Sequence, residues 1–128
     1  MRSRNDSPPE GLALATIQQS LIYDALDRSP ALVFVADDEM RYLAVNETAC
    51  SVLGYTREEL LGLHVPDVSA SPDAPTDYRE LMDARARRGV DTIRTKDGRT
   101  LSMAYRAFEV TVAAMPYFVC IGFLDDEV

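Results

Sequence analysis

The sequence predicts an α+β domain on three observations: two short apolar runs between residues 31 and 45, a central block of short helix signals ending in one longer helix, and a last third of extended segments about the turn pair Asp97-Gly98. The 128 residues suit a single domain, large enough for folding to remove roughly two-thirds of the unfolded chain's surface from water. At 47% hydrophobic and 27% charged the composition is globular, which excludes a chain disordered throughout. The organisation is a polar tail and leader helix over 1–28, then the domain over 29–128.

The elements follow in order. Ser7-Pro8-Pro9-Glu10 has a serine three residues before a glutamate and proline at the first helical position, so a helix starts there. Leu14, Ile17, Leu21, Ile22, Ala25 and Leu26 form one apolar stripe before Ser29-Pro30 stops the helix. That stripe packs either on its own domain or along a second copy. Ala31–Ala36 and Arg41–Val45 read as strands joined by the acidic turn Asp37-Asp38-Glu39. Asn46 stands as the N-cap of a short helix that Gly54 ends, and Thr56 with Glu59 forms a capping box for a second that Gly62 stops. The prolines of Val65–Thr76 predict an irregular connection. A longer helix follows with Tyr78, Leu81, Met82 and Ala86 on its buried face. Asp77 and Glu80 lie near its start, Arg85, Arg87 and Arg88 near its end, and Gly89 closes it. Strands are expected over 90–96, 99–112 and 117–125. Alternation assigns Leu101, Met103, Tyr105 and Ala107, with Val119, Ile121 and Phe123, to the interior.

Charge and motifs exclude several functions. The net charge of −8 speaks against direct nucleic-acid binding, which relies on a basic face. The apolar runs reach strand length only, so no membrane span is expected, and Asn5 to Pro9 stand where a signal peptide would be apolar. Cys50 and Cys120 are too few for a disulfide framework or zinc site and fit a reducing cytoplasm as packing residues. His64, the single histidine, cannot form a metal site unaided and reads as a cap or surface residue. With no nucleophile elbow and no glycine-rich phosphate loop, and with Asp37-Asp38 and Asp125-Asp126 read as solvated charge, no enzymatic activity is expected.

The Asn46 strand-to-helix junction, Leu53-Gly54-Tyr55, Glu58-Glu59-Leu60-Leu61-Gly62 and Lys96-Asp97-Gly98-Arg99, in this order, resemble a PAS domain over about residues 29–126. The resemblance implies a five-stranded antiparallel sheet with short helices and one longer helix over one face, a ligand pocket between them, and a flanking helix that drives dimerisation. It also implies a sensory or dimerisation role in bacterial signalling, with an effector domain or partner signalling protein taking up the output. The chain stops at Asp125-Asp126-Glu127-Val128, where such domains usually hand over to a linker helix.

Two cofactors known in such domains are disfavoured. Val65 stands where light-sensing relatives carry the flavin-adduct cysteine, and Phe123 stands about where they carry a flavin-contacting glutamine. The position of a haem-ligating histidine falls near Tyr78, on a helix without histidine. The ligand, if there is one, is left unknown. The candidate pocket comprises Tyr78, Leu81 and Met82 from the longer helix, Ile93, Met103 and Tyr105 from the middle strands, and Val119, Ile121 and Phe123 from the last. This set suits a small apolar ligand or a filled core. The opposite faces, with Ala104, Phe108 and Val110 and with Cys120, Gly122 and Leu124, leave an apolar sheet surface that something must cover. Leu14, Ile17, Leu21, Phe108 and Leu124 are accordingly the candidate homodimer contacts. A ligand sensor, a ligand-free dimerisation scaffold and, remotely, a small isomerase or hydrolase all remain open.

Overall fold

The computed structural model describes residues 7–124. A 21-residue helix, α1 (Ser7–Asp27), leads into β1 (Leu32–Ala36) and β2 (Tyr42–Val45). The helices α2 (Glu47–Leu53), α3 (Arg57–Leu60), α4 (Val65–Val68) and α5 (Ala74–Ala84) follow, then β3 (Ala86–Arg94), β4 (Thr100–Val112) and β5 (Met115–Leu124). The strands make one antiparallel sheet in the order β2-β1-β5-β4-β3, and the block α2–α5 carries the chain from one edge to the other. The arginines of the N-terminal tail and Asp125-Asp126 lie outside the described residues.

Local signals act as their chemistry requires. Asn46 Oδ1 accepts from Ala49 N–H at 3.0 Å and caps α2, and Gly54 ends that helix at φ 84°. Thr56 and Glu59 close the capping box of α3 in both directions, at 3.1 and 2.9 Å. Gly98 takes φ 93° in the loop between β3 and β4. Ala113 and Ala114, both left-handed, make the two-residue turn between β4 and β5.

Three expectations are corrected. The stretch 65–76 is not irregular throughout: Pro66 and Pro75 sit in the first turns of α4 and α5, where a missing amide costs nothing. The longer helix does not run to Gly89. Arg85 ends it in the left-handed region at φ 66°, and Ala86 to Gly89 are already paired with Phe108 to Tyr105 in the sheet. Ala86 is therefore an exposed strand residue, and Gly89 gives room to the Tyr105 ring, whose hydroxyl would lie 3.5 Å from an added Cβ.

The third correction concerns β5, whose parity is the reverse of that expected. Its inner row is Phe118, Cys120, Gly122 and Leu124, while Val119, Ile121 and Phe123 belong to the outer row beside Phe108, Arg106 and Ala104. The register on β4 imposes this: Tyr105 faces Gly122 and Ala107 faces Cys120. Leu124 thus packs against the core rather than on the outer face, and Phe123 is 52% exposed. Gly122 leaves room for the Met103 side chain, which would have to move if a Cβ were added there, 2.6 Å from its Cγ.

The core lies between the sheet and α2–α5. Leu32, Leu53, Leu60, Ile93 and Val68 are its fully buried members. The leader helix takes no part: its apolar stripe is exposed, with Leu14, Ile17 and Leu21 each more than half accessible. Packing of that stripe on its own domain is therefore not what the fold does.

Candidate functional site

The junction of the leader helix with the domain is built on Asn46. Its Oδ1 accepts from Val33 N–H as well as Ala49 N–H, and its Nδ2 donates to the carbonyls of Leu26 (2.7 Å) and Ala31 (2.9 Å), so every hydrogen-bonding position of a buried amide is used. Asp27 adds a second tie, accepting from Glu47 N–H at 2.9 Å and from Arg57 Nη2 at 2.7 Å. The end of α1 is held to β1, α2 and α3 while the rest of the helix stands clear.

A cavity of about 100 Å³ opens between the sheet and α5. That volume has room for several water-sized molecules. Of the residues expected to form a pocket, Tyr78, Leu81, Ile93, Met103 and Tyr105 line it, and Val119 borders it although its side chain belongs to the outer row. Met82 packs against the core without lining the cavity, and Ile121 and Phe123 are turned to the outer face by the parity of β5.

The lining includes charged groups that sequence reasoning missed. Arg87, Asp91 and Asp77 border the cavity with Ser69, Tyr42 and Cys120. Arg87 and Asp91 were hidden because Arg87 reads as the basic end of a helix, whereas β3 begins at Ala86 and carries both to the inner face. The matching parity of Gly89 opposite Tyr105 was the available signal. All three nitrogens of the Arg87 guanidinium have partners: Nε donates to the Tyr105 hydroxyl at 2.9 Å, Nη2 pairs with Asp77 at 3.1 Å, and Nη1 pairs with Glu80. Asp91 receives a hydrogen bond from Ser69 Oγ at 3.0 Å, and no basic side chain pairs with it among the described residues.

Burial dominates the electrostatics. It pushes the Asp91 carboxyl above its ordinary value against the bond from Ser69, drives the Tyr42 phenol well up, and raises the Cys120 thiol to about 12. Cys50, on the buried face of α2, is raised for the same reason, so both thiols are protonated packing groups. Tyr78 spends its hydroxyl on the Asp37 carbonyl at 2.6 Å. His64 is exposed at the start of α4, its backbone N–H donating to Asp67 at 2.8 Å. Among the described residues no group of His, Cys, Asp and Glu could hold a metal ion, and no helix is long and apolar enough to cross a membrane.

A family model described as the PAS fold matches residues 26–118. The chain belongs to that family, a class of regulatory sensory modules of signalling proteins. Solved structures agree on the architecture. The PAS domain of an HTR-like protein from Haloarcula marismortui superposes with a TM-score of 0.79 at 20% identity, over 91% of this chain and 98% of that one. A domain of a sensory box sensor histidine kinase/response regulator from Geobacter sulfurreducens gives 0.70 at 28% identity, over 82% and 93%. The PAS domain of nitrogen regulation protein NR(II) from Vibrio parahaemolyticus gives 0.69 at 14%, over 81% and 97%. No curated protein matches the sequence.

Proposed function

We propose that this chain is the sensory and dimerisation module of a cytoplasmic bacterial signalling protein, without chemistry of its own, which binds a small ligand between its sheet and α5 and passes the signal to an effector domain or partner protein. The cavity against α5 carries this reading, because it lies where one bound molecule touches both the helix and the sheet. A ligand that prefers one packing of α5 shifts the sheet and the leader helix; only such differential affinity can move the equilibrium.

The homodimer is supported by apolar surface without a cover. On the outer face Phe108 and Phe123 are 37% and 52% exposed, with Val119 and Ile121 between them, and Leu14, Ile17 and Leu21 offer a matching stripe on α1. Fully burying such a side chain is worth about 1.5–3 kcal/mol, which a pair of copies would set against the cost of association. Leu124, turned inward, is not among the contacts.

Two other readings each rest on one observation. The modest size of the cavity favours a ligand-free dimerisation scaffold, and the half-buried Asp91 favours a small isomerase or hydrolase. Native mass spectrometry of the purified protein beside a denaturing spectrum separates the first two. A dimer carrying extra mass is expected; a bare dimer supports the scaffold, and a bare monomer overturns the dimer. Turnover that disappears in Asp91→Asn would establish the enzyme.

A further inference from the structure

Resting on the reading of the cavity as a ligand site, we infer that it accepts a small organic cation, an amine or quaternary ammonium group, held at Asp91 among aromatic rings. Five rings line the space: Phe34, Tyr42, Tyr78, Tyr105 and Phe118. Phe34 and Tyr42 pack at 5.4 Å between centroids, and Tyr78 and Phe118 meet edge-on at 5.5 Å. Ring faces attract cations, and do so more strongly away from water.

The balance of charge selects the same class. Arg87, the basic group in the lining, already pairs with two carboxylates, Asp77 and Glu80, and donates to the Tyr105 hydroxyl, so its charge is balanced before any ligand enters. Asp91 is the opposite case: a half-buried carboxylate with a single side-chain donor, Ser69, and no basic partner among the described residues. A buried charge without a counter-charge is costly, and a ligand that brings one recovers that cost.

The Tyr42 phenol provides the independent observation. It is buried, it lines the cavity, and its hydroxyl makes no hydrogen bond among the described residues. Buried hydroxyls ordinarily have partners. An N–H donor or a bound water carried in with the ligand would supply one, whereas a purely apolar guest would leave the Tyr42 hydroxyl without a partner and Asp91 without a counter-charge. The greasy ligand expected from the apolar strand residues is thus replaced by an amphipathic one.

The test holds the carbon chain constant and varies the charge. Butylammonium, butanol and butyrate are titrated by calorimetry, with thermal shift as a second readout, into the wild type, Asp91→Asn and Tyr42→Phe. Butylammonium is expected to bind best, roughly tenfold or more above butanol, with butyrate inert. Asp91→Asn should remove that preference, and Tyr42→Phe, which keeps the ring, should weaken binding several-fold without unfolding the domain. Butanol or butyrate binding the wild type as well as butylammonium would overturn the inference, as would undiminished amine binding by Asp91→Asn. A neutral or anionic molecule retained in native mass spectrometry would overturn the cation while leaving the sensor intact. A bare protein that binds none of the three probes would remove both.

Discussion

The two halves of the sheet meet their helices differently. Where β1 and β2 face α2 and α3, the space is filled: Leu32, Ala49, Leu53 and Leu60 have no measurable exposure, and the polar Asn46 in their midst uses all its hydrogen bonds. Toward α4 and α5 the interior holds a cavity that reaches from β3 and β4 to Phe34 and Tyr42, an arginine tied to three partners, and a carboxylate with no basic partner among the described residues. One half is built to keep its shape and the other has room to change. A sensory module needs both, since a signal must arise in the yielding part and be carried by the stiff one.

Truncation should expose this difference most strongly. Leu53→Ala is expected to cost about 2–5 kcal/mol because its neighbours cannot close the gap, whereas Leu81→Ala, beside existing space, should stay near the lower end of that range. Urea unfolding of both variants measures it, and equal losses would erase the distinction. Enlargement is the converse. Ala49→Leu should cost about 1–3 kcal/mol, while Ala107→Leu grows into the cavity at less than about 1 kcal/mol and abolishes ligand binding.

A smaller effect, opposite in sign between the halves, comes from pH. At Asp37, beside the filled half, burial favours the neutral acid, but hydrogen bonds from the Arg41 backbone, the Arg41 guanidinium and the Glu39 backbone outweigh it and hold the carboxyl low. Its contribution is present above the ordinary carboxylate range and is lost as pH falls through its folded value. Asp91 is raised by burial, so the folded state holds that proton more tightly than the unfolded one. Stability is lost there as pH rises from the ordinary value of 3.8 through the raised one. At neutral pH Asp91→Asn should therefore stabilise the protein and Asp37→Asn destabilise it. Unfolding curves across the acid range check both signs.

What could be read in the sequence was what is local. The Asn46 cap on Ala49, Gly54, the Thr56–Glu59 box and Gly98 do their work within a few residues, through cap and turn chemistry that neighbours cannot reverse. The parity of β5 was different: Val119 to Leu124 is apolar on both faces, so alternation is silent, and the pairing of Tyr105 with Gly122 decides it from a distance. The polar wall of the cavity was missed for a related reason. Arg85 to Arg88 satisfy the charge rule for a helix end, yet from Ala86 onward the ladder with β4 outbids it. Reading β3 from Ala86 would have put Arg87, Gly89, Asp91 and Ile93 on one face and revealed the charges. That α1 stands free could not be read at all, since an exposed stripe and a covered one have the same spacing.

The fastening of that helix has a mechanical consequence. Twenty-one residues at 1.5 Å each make an arm about 30 Å long, held at its base by Asn46 and by Asp27 with Arg57. A tilt of about 10° at the base would sweep the far tip through about 5 Å, roughly one helical turn. Displacements too small to alter the packing around Leu53 are thereby enlarged at the tip to the scale on which one helix changes its register against another.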